Sequence, residues 1–237
     1  MNARLVSHRG ASLIAPENTF AAADAALDRG AHMIELDVRE SADGVLYVLH
    51  DQTLDRTTDG SGPIQHHSAA QIDALDAGRW FGPDFEGQRV PRLDAYLDHL
   101  RSRGAGAYVE IKWCDAARCA SILRDTGMTE ACFSFSFKPE MRQAMRAAAP
   151  DLRQMITLSL ARNVSVAKSL FGASLIEIEA AECQPAIIEA ARTAGLEIMG
   201  YTESDDPQVF RRYRDAGLDY INHDHLDVAL SVLEEQT

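Results

Sequence analysis

The chain has 237 residues, 46% of them apolar, and a formal net charge of −13. That is enough apolar material for a full-sized core, which excludes a disordered chain and a small disulfide-stapled one. The acidic balance repels nucleic acid and anionic lipid surfaces at long range, and no run of 18 apolar residues offers a membrane span.

The expected partners are therefore a small molecule, with no nucleic acid and no stable membrane insertion; oligomeric state is not legible. Any anionic substrate must be drawn by a local cationic site. The start, Met1-Asn2-Ala3-Arg4, runs directly into a strand-like stretch and leaves no room for a secretory signal, so a cytoplasmic location is expected. Cys114, Cys119, Cys132 and Cys183 form no CxxC pair and no zinc spacing, and read as free thiols in a reducing compartment.

In chain order, short β-branched runs alternate with amphipathic segments. A strand over 5–7 is followed by a helix over 19–29, with Asn18 at its N-cap and Gly30 at its stop. Strands over 33–38 and 45–49 flank the turn at Asp43-Gly44. Helices over 92–103, 116–125, 139–149, 165–170, 185–194 and 207–216 then alternate with strands over 107–111, 132–135, 155–158, 174–178, 197–201 and 220–222. Pro139, Pro185 and Pro207 suit first-turn positions, and Gly195 a helix stop.

This order predicts an α/β chain, a (β/α)8 TIM-type barrel forming one domain over residues 1–237. Nine runs exceed the eight a barrel needs, and the Asp43-Gly44 turn is too short for a crossover helix. Either one of the two runs around it is an excursion of its neighbour, or a helix between two barrel strands is missing. The alternation lapses over residues 52–90, after the third strand; this inserted segment is expected to be a lid or small subdomain at the barrel mouth.

Functional groups of a barrel gather at the carboxyl ends of its strands. Those ends carry Ser7-His8-Arg9-Gly10, Glu35-Leu36-Asp37, His50-Asp51 and Glu110-Ile111-Lys112. Residues two apart in a strand share a face, so Glu35 points with Asp37 and Glu110 with Lys112. Three carboxylates converging on one mouth repel one another unless a cation lies between them, and hard oxygen ligands select Mg²⁺ or Ca²⁺, with Mn²⁺ also suited. His8 and His50 suit general acid and base work near neutral pH. Arg9 and Lys112 supply the cationic field a phosphate needs. Such a set performs phosphoryl chemistry without a covalent protein nucleophile. Glu17, Asp51 and Tyr201 are supporting candidates; Asp51 is expected to orient His50. His66-His67, His32, His99, His223 and His225 are read as structural or solvated, and Trp80 and Phe81 as packing within the inserted segment.

The ordered set His8-Arg9-Gly10, Pro16-Glu17-Asn18-Thr19, Glu35-Leu36-Asp37-Val38, Asp43-Gly44 with His50-Asp51, Leu54-Asp55-Arg56-Thr57-Thr58 and Glu110-Ile111-Lys112 resembles the glycerophosphodiester phosphodiesterases. The resemblance is close over the first half and looser after it. It implies a barrel related to the phosphatidylinositol-specific phospholipases C, cleaving glycerophosphodiesters to glycerol 3-phosphate and an alcohol. It further implies a divalent cation on Glu35, Asp37 and Glu110, catalysis by His8 and His50, and phosphate contacts from Arg9 and Lys112. The segment 52–90 falls at the family's small inserted subdomain. Tyr201-Thr202-Glu203-Ser204 and His223-Asp224-His225-Leu226 depart from the family's late Trp-Thr-Val-Asn and Thr-Asp-x-Pro elements, and these departures bear on substrate choice. A lysophospholipid or sugar phosphodiester is the alternative substrate, and a non-catalytic phosphate-binding barrel the alternative function.

Overall fold

A computed structural model describes residues 3–235; Met1 and Asn2, on which the expectation of no leader rests, lie outside them. The chain runs β1 (Arg4–Ser7), α1 (Phe20–Leu27), β2 (Met33–Glu40), β3 (Leu46–Val48), α2 (Ala69–Ile72), α3 (Leu93–Ser102), β4 (Gly106–Trp113), α4 (Ala116–Asp125), β5 (Cys132–Phe135) and α5 (Pro139–Ala148). It continues through β6 (Arg153–Thr157), α6 (Leu158–Ala161), α7 (Val164–Ser169), β7 (Leu175–Glu179), α8 (Pro185–Thr193), β8 (Glu197–Thr202), α9 (Pro207–Asp215), β9 (Tyr220–His223) and α10 (Leu226–Glu234).

The sheet order is β1-β9-β8-β7-β6-β5-β4-β2, and pairing of β1 with β2 closes it into a parallel barrel. The surplus run is β3. It pairs antiparallel with β2, Val38 opposite Val48, and so is an excursion of its neighbour rather than a barrel stave. The longest barrel strands, β2 and β4, are buried over six consecutive residues because both faces are covered, by interior side chains on one side and helices on the other.

Residues 52–90 carry a second apolar cluster. Leu54, Ile64, Ala69, Ile72, Ala77 and Val90 pack with Tyr47 and Leu49 beside β3. The four-residue helix α2 within this segment was too short to leave a periodic signal. Three further expectations are corrected. The N-cap of α1 is Thr19, whose hydroxyl accepts from the Ala22 N–H, and not Asn18. Leu158 begins α6 instead of ending a strand, because the Thr157 side chain caps that turn. Helix α10 was not anticipated, although Leu226, Ala229 and Val232 bury one face at helical spacing.

The four cysteines are free, three of them buried, in accord with the composition. Among the described residues no helix is long and apolar enough to cross a membrane.

Candidate active site

The site is built from the turn after β1 and the carboxyl ends of β2 and β4. Register places Asp37 opposite Glu110, and Glu35 sits two residues earlier on the same face. One carboxylate oxygen from each of Glu35, Asp37 and Glu110 lies within 4.8 Å of the others, and all three residues are buried.

Arg9 occupies the left-handed region at φ +57°, followed by Gly10 at +79°. A Cβ on Gly10 would come within 2.7 Å of the Ala22 backbone, so only glycine lets this turn lie against α1. The turn aims the Arg9 N–H at Glu35 Oε2 (3.0 Å) and carries its guanidinium to Glu17 (3.2 Å) and Asp37 (3.5 Å). Lys112 Nζ stands 2.5 Å from Glu110 and 3.1 Å from Asp37. Three carboxylates thus face two fixed cations, which leaves one negative charge uncompensated.

The protonation balance reflects that deficit. Burial, and then the charges of Asp37 and Glu110, push Glu35 well above the usual carboxylate range. Burial and Asp37 push Glu110 up as well. Burial also opposes charge on Asp37, but Lys112 and Arg9 outweigh it and hold Asp37 low. The inward oxygens Glu35 Oε1, Asp37 Oδ1 and Glu110 Oε1 are shut from solvent; Lys112 Nζ is the ion-pair partner of the last two, and Glu35 Oε1 has no hydrogen-bond partner. Buried, mutually repelling carboxylate oxygens gathered within 4.8 Å, with one negative charge left over, are the donor set a hard divalent cation takes, so these residues fit such an ion.

Both histidines have their Nδ1 edge anchored. His8 Nδ1 is 2.9 Å from Asp224 Oδ1, and His50 Nδ1 is 2.7 Å from Asp51 Oδ1. A carboxylate only accepts, so each Nδ1 carries the proton and each Nε2 is left for chemistry. Burial lowers the His50 pKa from its ordinary value. Arg56 braces the second pair: its guanidinium donates to Asp51 at 2.7 and 2.9 Å and to Glu17 at 2.7 and 2.8 Å.

His8, Arg9, Glu35, His50, Glu110, Lys112 and Tyr201 line one cleft of about 210 Å³. Asp37 lies behind it, and Glu17 and Asp51 act from its edge through Arg9, Arg56 and His50. Tyr201 presents its ring edge-on to His8 at 5.6 Å, and its hydroxyl donates to Glu203 at 2.5 Å, which keeps that exposed carboxylate off the reacting centre.

Several contributors escaped the sequence. Asn18, assigned to a helix cap, is buried at φ +58° and donates its amide N–H to Asp37 at 2.8 Å. Arg56 and Asp224 were quoted only within motif runs, with no role of their own, and Glu177 was not singled out at all. Asp224 directly follows a strand end, the one signal that could have found it. His223, read as structural, is wholly buried beside Phe210 with neither ring nitrogen hydrogen-bonded. His66-His67 makes no paired site: the His67 ring bonds to the Pro63 carbonyl.

Fold and site together define a class: a closed (β/α)8 barrel with a buried acidic trio, two cations and two carboxylate-anchored histidines at one mouth. The profile of the Glycerophosphoryl diester phosphodiesterase family matches residues 8–228, and the chain belongs to that family. The crystal structure of a glycerophosphodiester phosphodiesterase from Agrobacterium tumefaciens is 55% identical, with a TM-score of 0.94, covering 97% of this chain and 99% of that one. A glycerophosphodiester phosphodiesterase of Caldanaerobacter subterraneus is 42% identical over 112 residues, 47% of this chain and 46% of that protein. One from Bacillus subtilis is 42% identical over 115 residues, 45% of this chain and 39% of that protein. The aligned stretches therefore span less than half the length of these two curated relatives. An Oleispira antarctica phosphodiesterase, solved with its product sn-glycerol-3-phosphate, shares the fold at a TM-score of 0.89 and 24% identity, over 99% of this chain and 98% of that one.

Proposed function

We propose that this chain hydrolyses glycerophosphodiesters to glycerol 3-phosphate and an alcohol, with a divalent cation and two histidines. The observation that carries this reading is the buried acidic trio with its uncompensated negative charge, beside two histidines whose free Nε2 edges share one cleft with Arg9 and Lys112.

Glu35, Asp37 and Glu110 would hold the cation, Mg²⁺ or Ca²⁺ with Mn²⁺ also suited. When bound it supplies charge stabilisation to the phosphate oxygens and leaves the mouth net positive toward a monoanionic diester. Arg9 and Lys112 bind and orient non-bridging oxygens. One histidine Nε2 removes the proton of the attacking hydroxyl as its oxygen bonds to phosphorus. The other, protonated, gives its proton to the leaving oxygen as the P–O bond to the alcohol breaks. Asp224 and Asp51 hold the two rings in the required tautomer and stabilise each imidazolium. The attacking hydroxyl is water, or the glycerol 2-OH with a cyclic phosphate opened by water in a second round; the same two proton transfers serve both. The inserted segment steadies this machinery through Arg56. The free, mostly buried thiols support a reducing compartment, the cytoplasm.

Incubation of the purified protein with glycerophosphodiesters, followed by ³¹P NMR, tests the reading. It predicts release of glycerol 3-phosphate, lost in His8→Ala and His50→Ala. Full turnover by both variants contradicts it. A second reading, cleavage of lysophospholipids, is favoured by the exposed Phe137 lining the cleft and by the exposed Trp113 and Leu160, which directly follow the lining residues Lys112 and Ser159, and lysolipids belong in the same assay.

A further inference from the structure

The cleft has a second end. In the barrel's ring of strands β7 stands across from β2, so Glu177 on β7 faces the mouth from the side opposite Glu35 and Asp37. Glu177, Glu179 and Glu182 all line the same cleft as Glu35 and Glu110, together with Phe137 and Tyr201.

Glu179 and Glu182 form a turn, the Glu179 N–H donating to Glu182 Oε2 at 2.9 Å, and this holds both on the rim. Glu177 lies at the bottom. Its Oε2 is shut from solvent and has no hydrogen-bond partner. The leading charges acting on it are negative, from Glu110, Glu179 and Glu182, and the Asn222 amide partly offsets them. A deeply placed, unpartnered carboxylate oxygen facing a cleft is costly unless a ligand completes it. Phe137 and Tyr201 line the same wall of the cleft, and the face of an aromatic ring also receives cations.

Resting on the phosphodiesterase reading, we infer that this wall receives the leaving alcohol and selects one that bears a positively charged nitrogen. With the phosphate held by Arg9 and Lys112, the two ends of the cleft are matched in sign to the two ends of a zwitterionic diester. Burial, and then the charge of Glu110, hold the Glu177 carboxyl up at about 8; an ammonium beside it favours the ionised form, so the proton leaves as the cation arrives.

Four substrates test this: glycerophosphoethanolamine and glycerophosphocholine, and their uncharged isosteres, the propyl and 3,3-dimethylbutyl esters. A charge-assisted contact of this kind predicts kcat/KM about tenfold higher for at least one charged member of a pair. Preference confined to the ethanolamine pair assigns a primary ammonium, and preference confined to the choline pair a quaternary one. Glu177→Gln, and Glu179→Gln on the exposed rim, should shrink the ratio toward one. Equal kcat/KM within about twofold in both pairs overturns the inference and leaves phosphodiester hydrolysis standing. Cleavage of none of the four overturns the underlying reading and the inference with it.

Discussion

His8 Nδ1 and Asp224 Oδ1 lie 2.9 Å apart across 216 residues of chain, joined because β1 and β9 pair in the barrel. The contact sets the imidazole's tautomer and its orientation together. Asp224→Asn keeps the shape but lets the side-chain amide donate, which favours the tautomer with Nδ1 unprotonated. The expected outcome is a fall in kcat of about 10- to 100-fold with KM nearly unchanged. Equal loss on changing Asp224 to Asn and to Glu would instead indicate a purely packing role.

Arg56 links Glu17 to Asp51 with four hydrogen bonds, yet its side chain is 43% exposed. Exposed ion pairs add little to stability, so Arg56→Ala should cost about 1 kcal/mol or less in urea unfolding. Its effect on turnover should be larger, about tenfold in kcat, because Asp51 loses the group that holds it against His50. A large drop in stability with unchanged kcat would contradict this role.

Asn18 combines a left-handed backbone with a hydrogen bond to a buried carboxylate. Asn18→Ala loses both compatibilities, and about 2–4 kcal/mol of stability is expected to go with them. Asn18→Gly removes only the side chain and should recover about 1 kcal/mol of that loss. Equal midpoints for the two variants would show that the backbone angle contributes nothing.

His223 gives the clearest pH effect on folding. Burial lowers its pKa from 6.5 to about 4. Above pH 6.5 both folded and unfolded states hold it neutral. Below that the unfolded chain takes up a proton the folded chain refuses, so stability falls as pH drops from about 6.5 to 4 and is level beyond. The shift corresponds to about 3 kcal/mol. Thermal melts across this range should show a shallower slope for His223→Met than for the unaltered chain. Parallel slopes would assign the acid sensitivity to other groups.

The parts of this molecule legible in its sequence are those set by local pattern. Strand and helix alternation marked all eight staves, and Glu35, Asp37, Glu110, His8 and His50 stood out as ionisable residues at strand ends, where apolar runs make them conspicuous. What was hidden depends on closure of the barrel. Whether residues 45–49 were a stave could not be read from a short turn, since an antiparallel return and a missing helix leave the same pattern. Asp224 meets His8 only because the last strand pairs with the first. Asn18 looked like a cap because Asn favours that position, and its partner Asp37 is distant in sequence. Glu177 alternates within an ordinary-looking strand, and only the register shows it facing the cleft.

The central claim is that Glu35, Asp37 and Glu110 hold a divalent cation needed for turnover. Its most direct test is kcat/KM for a glycerophosphodiester in chelator-treated protein, titrated with Mg²⁺, Ca²⁺ or Mn²⁺, for the unaltered chain and Glu110→Gln. Activity should vanish on chelation and return with at least one of these ions. The variant should need about 10- to 100-fold more of that ion for half-maximal rate. Undiminished turnover by the unaltered chain in excess chelator would contradict the claim.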